Sequence, residues 1–211
     1  DGVNDPFCTD ANCLVYKADP GTRWSYHNAP YTLLADVLES ASGKTYNQVT
    51  TQELKVKTGM DGGWLNNGFN RLFVSTPRSM ARFGLLIQAG GKWNGTTIMN
   101  DTAYFRDMIT PSQAINPAYG YLWWLNGAET FMIPSSQFIF QGSKHPQAQA
   151  EMFAAMGKNG QLINIVPSEG LVVIRMGNNP DQSLVPLIFQ DEMWGYISRL
   201  TCITSNDTPI D

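Results

Sequence analysis

The chain has 211 residues, 43% apolar and 15% charged, which suits one globular domain or a large piece of one and excludes a disordered tail. Its formal charge of −4 and pI near 5.1 come with lysines and arginines scattered singly, so no basic stripe offers a seat to a phosphate backbone and nucleic acid is not an expected partner. The longer apolar stretches, such as 121–125, fall far short of the roughly 20 residues needed to cross a bilayer.

Residues 1–22 are rich in Asp, Asn, Gly and Pro and read as a surface loop ending at Pro20-Gly21-Thr22. The chain starts at Asp1 without a basic or apolar leader, so any export signal is expected to have been removed or to lie upstream. Cys8 and Cys13, in CTDANC, are close enough for a local disulfide, with free thiols as the alternative; Cys202 has no obvious partner. A zinc site is disfavoured, because His27 and His145 are isolated and no second close cysteine pair completes a tetrahedral set.

Tyr26-His27-Asn28 forms a turn before a helix in which, from Tyr31 on, Leu33, Leu34, Val37 and Leu38 recur at helical spacing and Ser42-Gly43 is a natural stop. A second helix is expected over 46–57. Ser75-Thr76-Pro77 is a strong start for a third, since a hydroxyl caps free amides and proline at the first helical position needs no donor. That helix ends at Gly90-Gly91, Trp93-Asn94-Gly95 reads as a turn, and Asn100-Asp101 caps a short helix through Met108. Glu39, Glu53 and Asp101 fall on polar helix surfaces and are assigned to solvation rather than acid–base work.

After Tyr119 the character changes. Tyr121-Leu122-Trp123-Trp124-Leu125 and Phe138-Ile139-Phe140 suit strands, as do 152–156, 161–166 and 171–176, the last two joined by the hairpin-like Pro167-Ser168-Glu169-Gly170. Leu184, Leu187, Ile188, Met193, Trp194 and Ile197 form a helical stripe able to cover one sheet face. The expected fold is therefore α/β in the α+β sense: a surface loop (1–22), a mainly helical region (23–118), then an antiparallel sheet with a C-terminal helix (119–203), all in one partial domain.

PGTRWSYHNAPYTLLAD at 20–36 resembles the Tyr-x-Asn region of the serine β-lactamase, penicillin-binding protein and esterase superfamily. STPRSMARFGLLIQ (75–88), the Gly-aromatic segment Tyr119 to Trp124 and MFAAMGKNGQLINIVPSEGLVVIRMG (152–177) are similar to further landmarks of that superfamily, in its order. Its members carry a nucleophilic serine and a lysine as Ser-x-x-Lys upstream of Tyr-x-Asn. Here the residues three before each lysine are Leu14, Ala41, Gln52, Leu54, Ala89, Gln141 and Ala155, with no serine among them. The resemblance thus implies the C-terminal part of a β-lactamase-like hydrolase lacking its nucleophile, and a non-catalytic binding or structural module on the same scaffold is the competing reading.

The resemblance makes Tyr26 the candidate proton shuttle of an acyl transfer, because a phenol beside an ammonium relays protons between serine, leaving group and solvent. The alternative is a packed aromatic whose hydroxyl is tied off. Asn28 is the candidate for orienting a substrate carbonyl or the lysine, its other reading being a helix cap. His27 points away if its neighbours point in. The third motif, a lysine or histidine, a small residue and glycine, is best matched by Ala155-Met156-Gly157-Lys158, where the cationic position is Ala155. Lys158 is then a source of positive potential, and Gly157 and Gly160 leave backbone amides open for an oxyanion, or else make an ordinary turn. This departure leans toward ester, amide or peptide substrates rather than a β-lactam carboxylate.

Trp24, Trp64, Trp123 and Trp124 either line a cleft or fill the core, and Asn94, Asn100 and Asn206 begin glycosylation triplets. The implied chemistry requires no cofactor and no metal. Its partners are a small acyl substrate in the parent protein and, through an unpaired sheet edge and an apolar face, a second copy or the missing N-terminal part. Together with a Cys8–Cys13 bridge, the family implies a periplasmic or secreted location.

Overall fold

The computed structural model describes residues 8–183 and 185–201. Cys202, the triplet at Asn206 and Leu184 of the helical stripe lie outside them. Within the described part of the N-terminal loop, Cys8 is bonded to Cys13, so neither thiol is available to a metal.

Helix α1 (Asn28–Ser42) starts three residues before the predicted Tyr31, because His27 is extended and its imidazole Nδ1 accepts from the Ala29 amide. Gly43, at φ 65°, closes the helix by donating to the Glu39 carbonyl. Its buried side is Ala29, Thr32 and Ala35; Leu34 and Val37 are 57% and 63% exposed. Half of the apolar stripe thus faces outward, Leu33 and Leu38 being half-buried, while small residues face the body.

Helix α2 (Tyr46–Thr50) runs through a π turn (Thr51–Lys55) into α3 (Val56–Thr58), together the predicted second helix. Thr45 and Gln48 cap it reciprocally. An unforeseen hairpin follows, β1 (Gly63–Asn67) and β2 (Asn70–Val74), turning at Gly68. It docks on α2 through Trp64, whose ring stacks on Tyr46 at 4.3 Å and whose indole N–H donates to Thr50 Oγ1.

Thr76 and Pro77 open α4 (Pro77–Gln88) as predicted, the threonine oxygen accepting from the Ser79 amide. The helix crosses the main sheet at Gly84, where a Cβ would lie 2.5 Å from Val172 Cγ1, so only glycine lets the backbone approach this closely. Strands β3 (Lys92–Trp93) and β4 (Thr96–Thr97) meet at Asn94-Gly95, both at positive φ. Asp101 caps α5 (Thr102–Met108).

The expected strand over 121–125 shrinks to β5 (Trp124–Leu125). The Tyr121 amide is held by the Met108 carbonyl, and Leu122 has φ 65°, which breaks an extended run. Similarly, Phe138 belongs to a turn fixed by Ser136, and only β7 (Phe140–Gln141) pairs, with β6 (Thr130–Phe131). The main sheet is antiparallel, ordered β10-β9-β8-β5, with β8 (Phe153–Gly157), β9 (Gln161–Val166) and β10 (Leu171–Arg175) close to their predicted limits.

Alternation sorts the sheet residues onto two faces. Leu125, Phe153, Ala155, Ile165 and Val172 pack with Ile87 of α4 and Met108 of α5. Trp124, Ala154, Met156, Leu162 and Val166 take the opposite face with α6 (Leu187–Thr201). Asn164, fully buried on that face, accepts from Gln190 Nε2 at 2.5 Å and Trp194 Nε1 at 3.4 Å and donates to the Val173 carbonyl. This network fixes where α6 sits along the sheet, since any slip leaves buried polar atoms unpaired. Among the described residues, nothing pairs with the outer edge of β10.

Candidate active site

Tyr26 closes the loop ahead of α1 and lies in a box of aromatic rings. Its ring stacks on Trp124 at 5.8 Å and meets Tyr119 edge-on at 6.1 Å, with Trp24 tilted at 6.4 Å. It packs against the core cluster that contains Ala154 and Met156, so it stands on that side of β8. Burial raises its pKa and keeps the phenol protonated at neutral pH. Neighbouring Tyr31 is pushed up to about 12, first by burial and then by Tyr26, and Tyr119 is raised by the same two causes and by Tyr31. The ring is packed, yet the hydroxyl has no hydrogen-bond partner among the described residues, unlike a tied-off structural tyrosine.

Asn28 is the first residue of α1, and the capping role falls to His27. Because the backbone turns helical at Asn28, the alternation that would put Tyr26 and Asn28 on one side of an extended segment does not operate there. The Asn28 carbonyl accepts from Thr32 Oγ1, and its side chain is half-buried.

The turn from β8 to β9 carries Gly157, Lys158 and Gly160. Lys158 is exposed, Asn159 is left-handed at φ 61°, and Gly160 is buried at φ 72°. Arg175 holds this turn by donating to the carbonyls of Asn159 (3.1 Å), Gly160 (3.0 Å) and Asn178 (2.7 Å) while lying over Phe189. A Cβ on Gly160 would meet Arg175 Nη1 at 2.7 Å, so glycine is required both by its φ and by that guanidinium. Strand β5 pairs only with Phe153 and Ala154, which leaves the β8 edge from Ala155 to Gly157 unpaired among the described residues. Ala155 packs on the α4 face, away from Tyr26.

Beside this constellation runs a groove of about 560 Å³ lined by Arg23, Trp24, Ser25, Tyr104, Tyr119 and Tyr121. Trp24 and Tyr119 form both its wall and part of the Tyr26 box. Trp123 and Trp124 are core residues, and Trp64 serves the α2 hairpin. Ser75 donates to the Asp61 carbonyl. Of the acidic residues assigned to solvation, Glu39 also accepts from the Tyr46 amide and pairs with Arg71.

Sequence reasoning passed over Lys144, since lysine is among the residues least often buried. It is 6% exposed, with Nζ 4.8 Å from the Trp124 ring centre and 3.8 Å from Met156 Sδ. Desolvation holds its pKa well below the ordinary lysine value. His145, also buried, is pushed down to about 2 by burial first and Lys144 second. Asn126 anchors their backbone, donating to the His145 and Gln149 carbonyls and accepting from the His145 amide and Ser143 Oγ.

The buried amine has a consequence for stability. In the unfolded chain Lys144 keeps its proton up to about pH 10.4; in the folded chain it loses it at much lower pH. Between these two values the unfolded state binds more protons, so its contribution makes stability rise with pH, by up to about 1.4 kcal/mol per unit. Lys144→Met is expected to be more stable at pH 7 and to lose this slope. Urea midpoints at pH 7, 8 and 9 measure it, and parallel curves for the two proteins would contradict it.

Comparison with known proteins places this architecture. The family model described as Beta-lactamase matches residues 14–185, and the chain belongs to that family. Among solved structures, it is similar to a protein assigned as a 6-aminohexanoate-dimer hydrolase from Bacillus anthracis, at TM-score 0.66 and 21% identity, over 91% of this chain and 47% of that one. It is also similar to a β-lactamase from Mycobacterium bovis, at TM-score 0.59 and 18% identity, over 88% of this chain and 66% of that one. A protein assigned as a β-lactamase from Bacteroides dorei matches at TM-score 0.59 and 13% identity, over 89% and 61%. The chain therefore spans about half to two thirds of the length of these neighbours. No curated protein matches its sequence.

Proposed function

We propose that this chain is the C-terminal portion of a serine hydrolase that works through an acyl-enzyme on an ester, amide or peptide bond, and that it is inactive alone. The observation that carries the reading is Tyr26. Its protonated phenol, without a protein partner among the described residues, is set in an aromatic box on one side of β8, near an unpaired strand edge. A serine and lysine supplied by a preceding segment complete the chemistry: serine oxygen adds to the carbonyl, the leaving group takes a proton relayed through Tyr26, and water then releases the acyl group. The backbone amides of the Gly157–Gly160 turn, kept rigid by Arg175, are candidates to stabilise the oxyanion. Amide or ester substrates fit best, in line with the hydrolase from Bacillus anthracis.

The test has two arms. The chain alone is expected to hydrolyse neither a p-nitrophenyl ester nor a chromogenic cephalosporin above background and to take up no fluorophosphonate. A protein carrying it together with an upstream Ser-x-x-Lys segment is expected to be labelled once, at that serine. Stoichiometric labelling of the chain alone, at Ser25 for instance, would overturn the reading, and an unlabelled longer protein would favour a binding module.

Two further proposals accompany it. The Cys8–Cys13 bond supports a periplasmic or secreted location, because structural disulfides persist in oxidising compartments. The open edge of β10 and the exposed Ile188, Tyr196 and Leu200 on α6 support association with a second copy or with the N-terminal part. Sedimentation should show a concentration-dependent species, and a strict monomer across a wide range would count against it.

A further inference from the structure

We propose that the pocket beside the β5–β8 pair is a binding site for a small organic cation, an ammonium group carried on an apolar body. It lies across the sheet from Tyr26: its walls Leu125 and Phe153 belong to the face packed against α4 and α5, whereas Tyr26 packs on the other face. The site is therefore separate from the candidate active site and stands whether or not the acyl-transfer reading holds. Its volume of about 540 Å³ falls within the ~300–1,000 Å³ usual for small-molecule sites.

The local sequence keeps this space open. Strand β5 ends at Leu125; the Asn126 amide still donates to the Met152 carbonyl at 2.9 Å, and the chain then turns at Gly127, whose φ is 72°. A Cβ on Gly127 would lie 2.5 Å from the Ala150 carbonyl oxygen, so the two backbones meet here only through glycine. Ala128 and Ala150, beside it, are too short to fill the pocket they line. Pro111 and Pro117 form part of the facing wall, and their rings have no rotamer freedom to lose when a ligand enters. The loop that carries them is tied down: the Ser112 amide donates to the Tyr119 carbonyl, the Tyr119 amide to the Asn116 carbonyl, and the buried Asn116 side chain exchanges hydrogen bonds with the Met132 backbone.

Glu129 and Glu151 are the only charged residues lining the pocket, and both are exposed. Neither has an ion-pair partner among the described residues; the Glu151 carboxylate accepts from the neutral Ser168 hydroxyl. Elsewhere Asp36 and Glu39 share Arg71, and Glu53 pairs with Lys57. An apolar cavity whose rim holds two carboxylates and no cation complements one ligand chemistry, an apolar body that displaces water from the walls and a positive group that meets the rim. An anion is repelled there, and a neutral hydrophobe gains nothing from the rim.

The experiment titrates this chain with 2-phenylethylammonium chloride at neutral pH and low salt, followed by amide NMR, with 2-phenylethanol and 3-phenylpropanoate as neutral and anionic counterparts. The ammonium is expected to shift the Gly127, Ala128 and Phe153 amides and to leave the Tyr26 amide in place. It should bind about three- to tenfold more tightly than the alcohol, the gain that two exposed ion pairs supply, and the propanoate more weakly than either. That gain should shrink at about 1 M salt, where exposed charges are screened within ~3 Å. Glu129→Gln combined with Glu151→Gln, both at the surface, should bring the ammonium down to the affinity of the alcohol. Equal affinity for ammonium and alcohol, or no shift at the pocket amides, overturns the proposal, and both are read on the unaltered chain. Shifts centred on Tyr26 overturn it too, by placing the ligand at the candidate active site. A short peptide carrying a Phe-Lys pair that binds far more tightly than the free ammonium overturns the small-molecule assignment in favour of a protein partner.

Discussion

Tyr26→Phe, in a protein that joins this chain to its Ser-x-x-Lys segment, is expected to lower kcat by about 10²–10⁴-fold, the usual contribution of a positioned proton-transfer group. The substitution removes one oxygen and keeps the ring, so the stack on Trp124 and the edge contacts with Tyr119 and Trp24 survive. Because that hydroxyl has no hydrogen-bond partner among the described residues, deleting it leaves no buried group orphaned, and the thermal midpoint should move little. KM should also change little, since the lost interaction matters only as the proton moves. A variant with near-normal kcat would remove Tyr26 from the mechanism, and one that unfolds would show the hydroxyl to be structural.

The largest effect on stability is expected at Trp194→Ala, about 3–5 kcal/mol. Trp194 is fully buried between α6 and the sheet, against Met152, Val166, Leu171 and Val173, and its indole N–H shares the Asn164 side-chain oxygen Oδ1 with Gln190. Truncation empties the centre of that interface and removes one member of the buried network. Domains hold only about 5–15 kcal/mol in total, so much of the molecule's margin is lost. Tyr196→Ala, two residues on but 70% exposed, is the control and should stay within about 0.5 kcal/mol. Circular dichroism during urea unfolding reads both, and a Trp194→Ala loss below about 1 kcal/mol would mean that α6 is not held as described.

The position of α6 was only half legible in the sequence. Its apolar stripe is plain at helical spacing, yet Ile188 is 75% exposed while Gln190, which the stripe omits, is fully buried. Periodicity finds an apolar face, and only the partner across the interface, here Asn164, decides which residues of the helix enter it. In α1 the discrepancy is larger, because the stripe at Leu34 and Val37 faces out and Thr32 faces in. The hairpin β1–β2 went unseen for a related reason: its residues alternate weakly, and it is held by Asn47, Thr50 and Tyr46 from another element.

What the sequence by itself determined is local. The cap at Thr76-Pro77, the stop at Gly43, the turn at Asn94-Gly95 and the strands β8 to β10 all follow from interactions within a few residues or from plain alternation. The order of those elements was also enough to point to the family. The surroundings of the candidate residues, by contrast, were decided by tertiary structure. Tyr26 meets Trp124 across more than ninety residues, Ala155 is turned from Tyr26 by the sheet's two-faced packing, and Lys144 is buried because Asn126 draws its loop inward. Burial and the pKa shifts it causes depend on which distant segments exclude water, and no short window of residues encodes that.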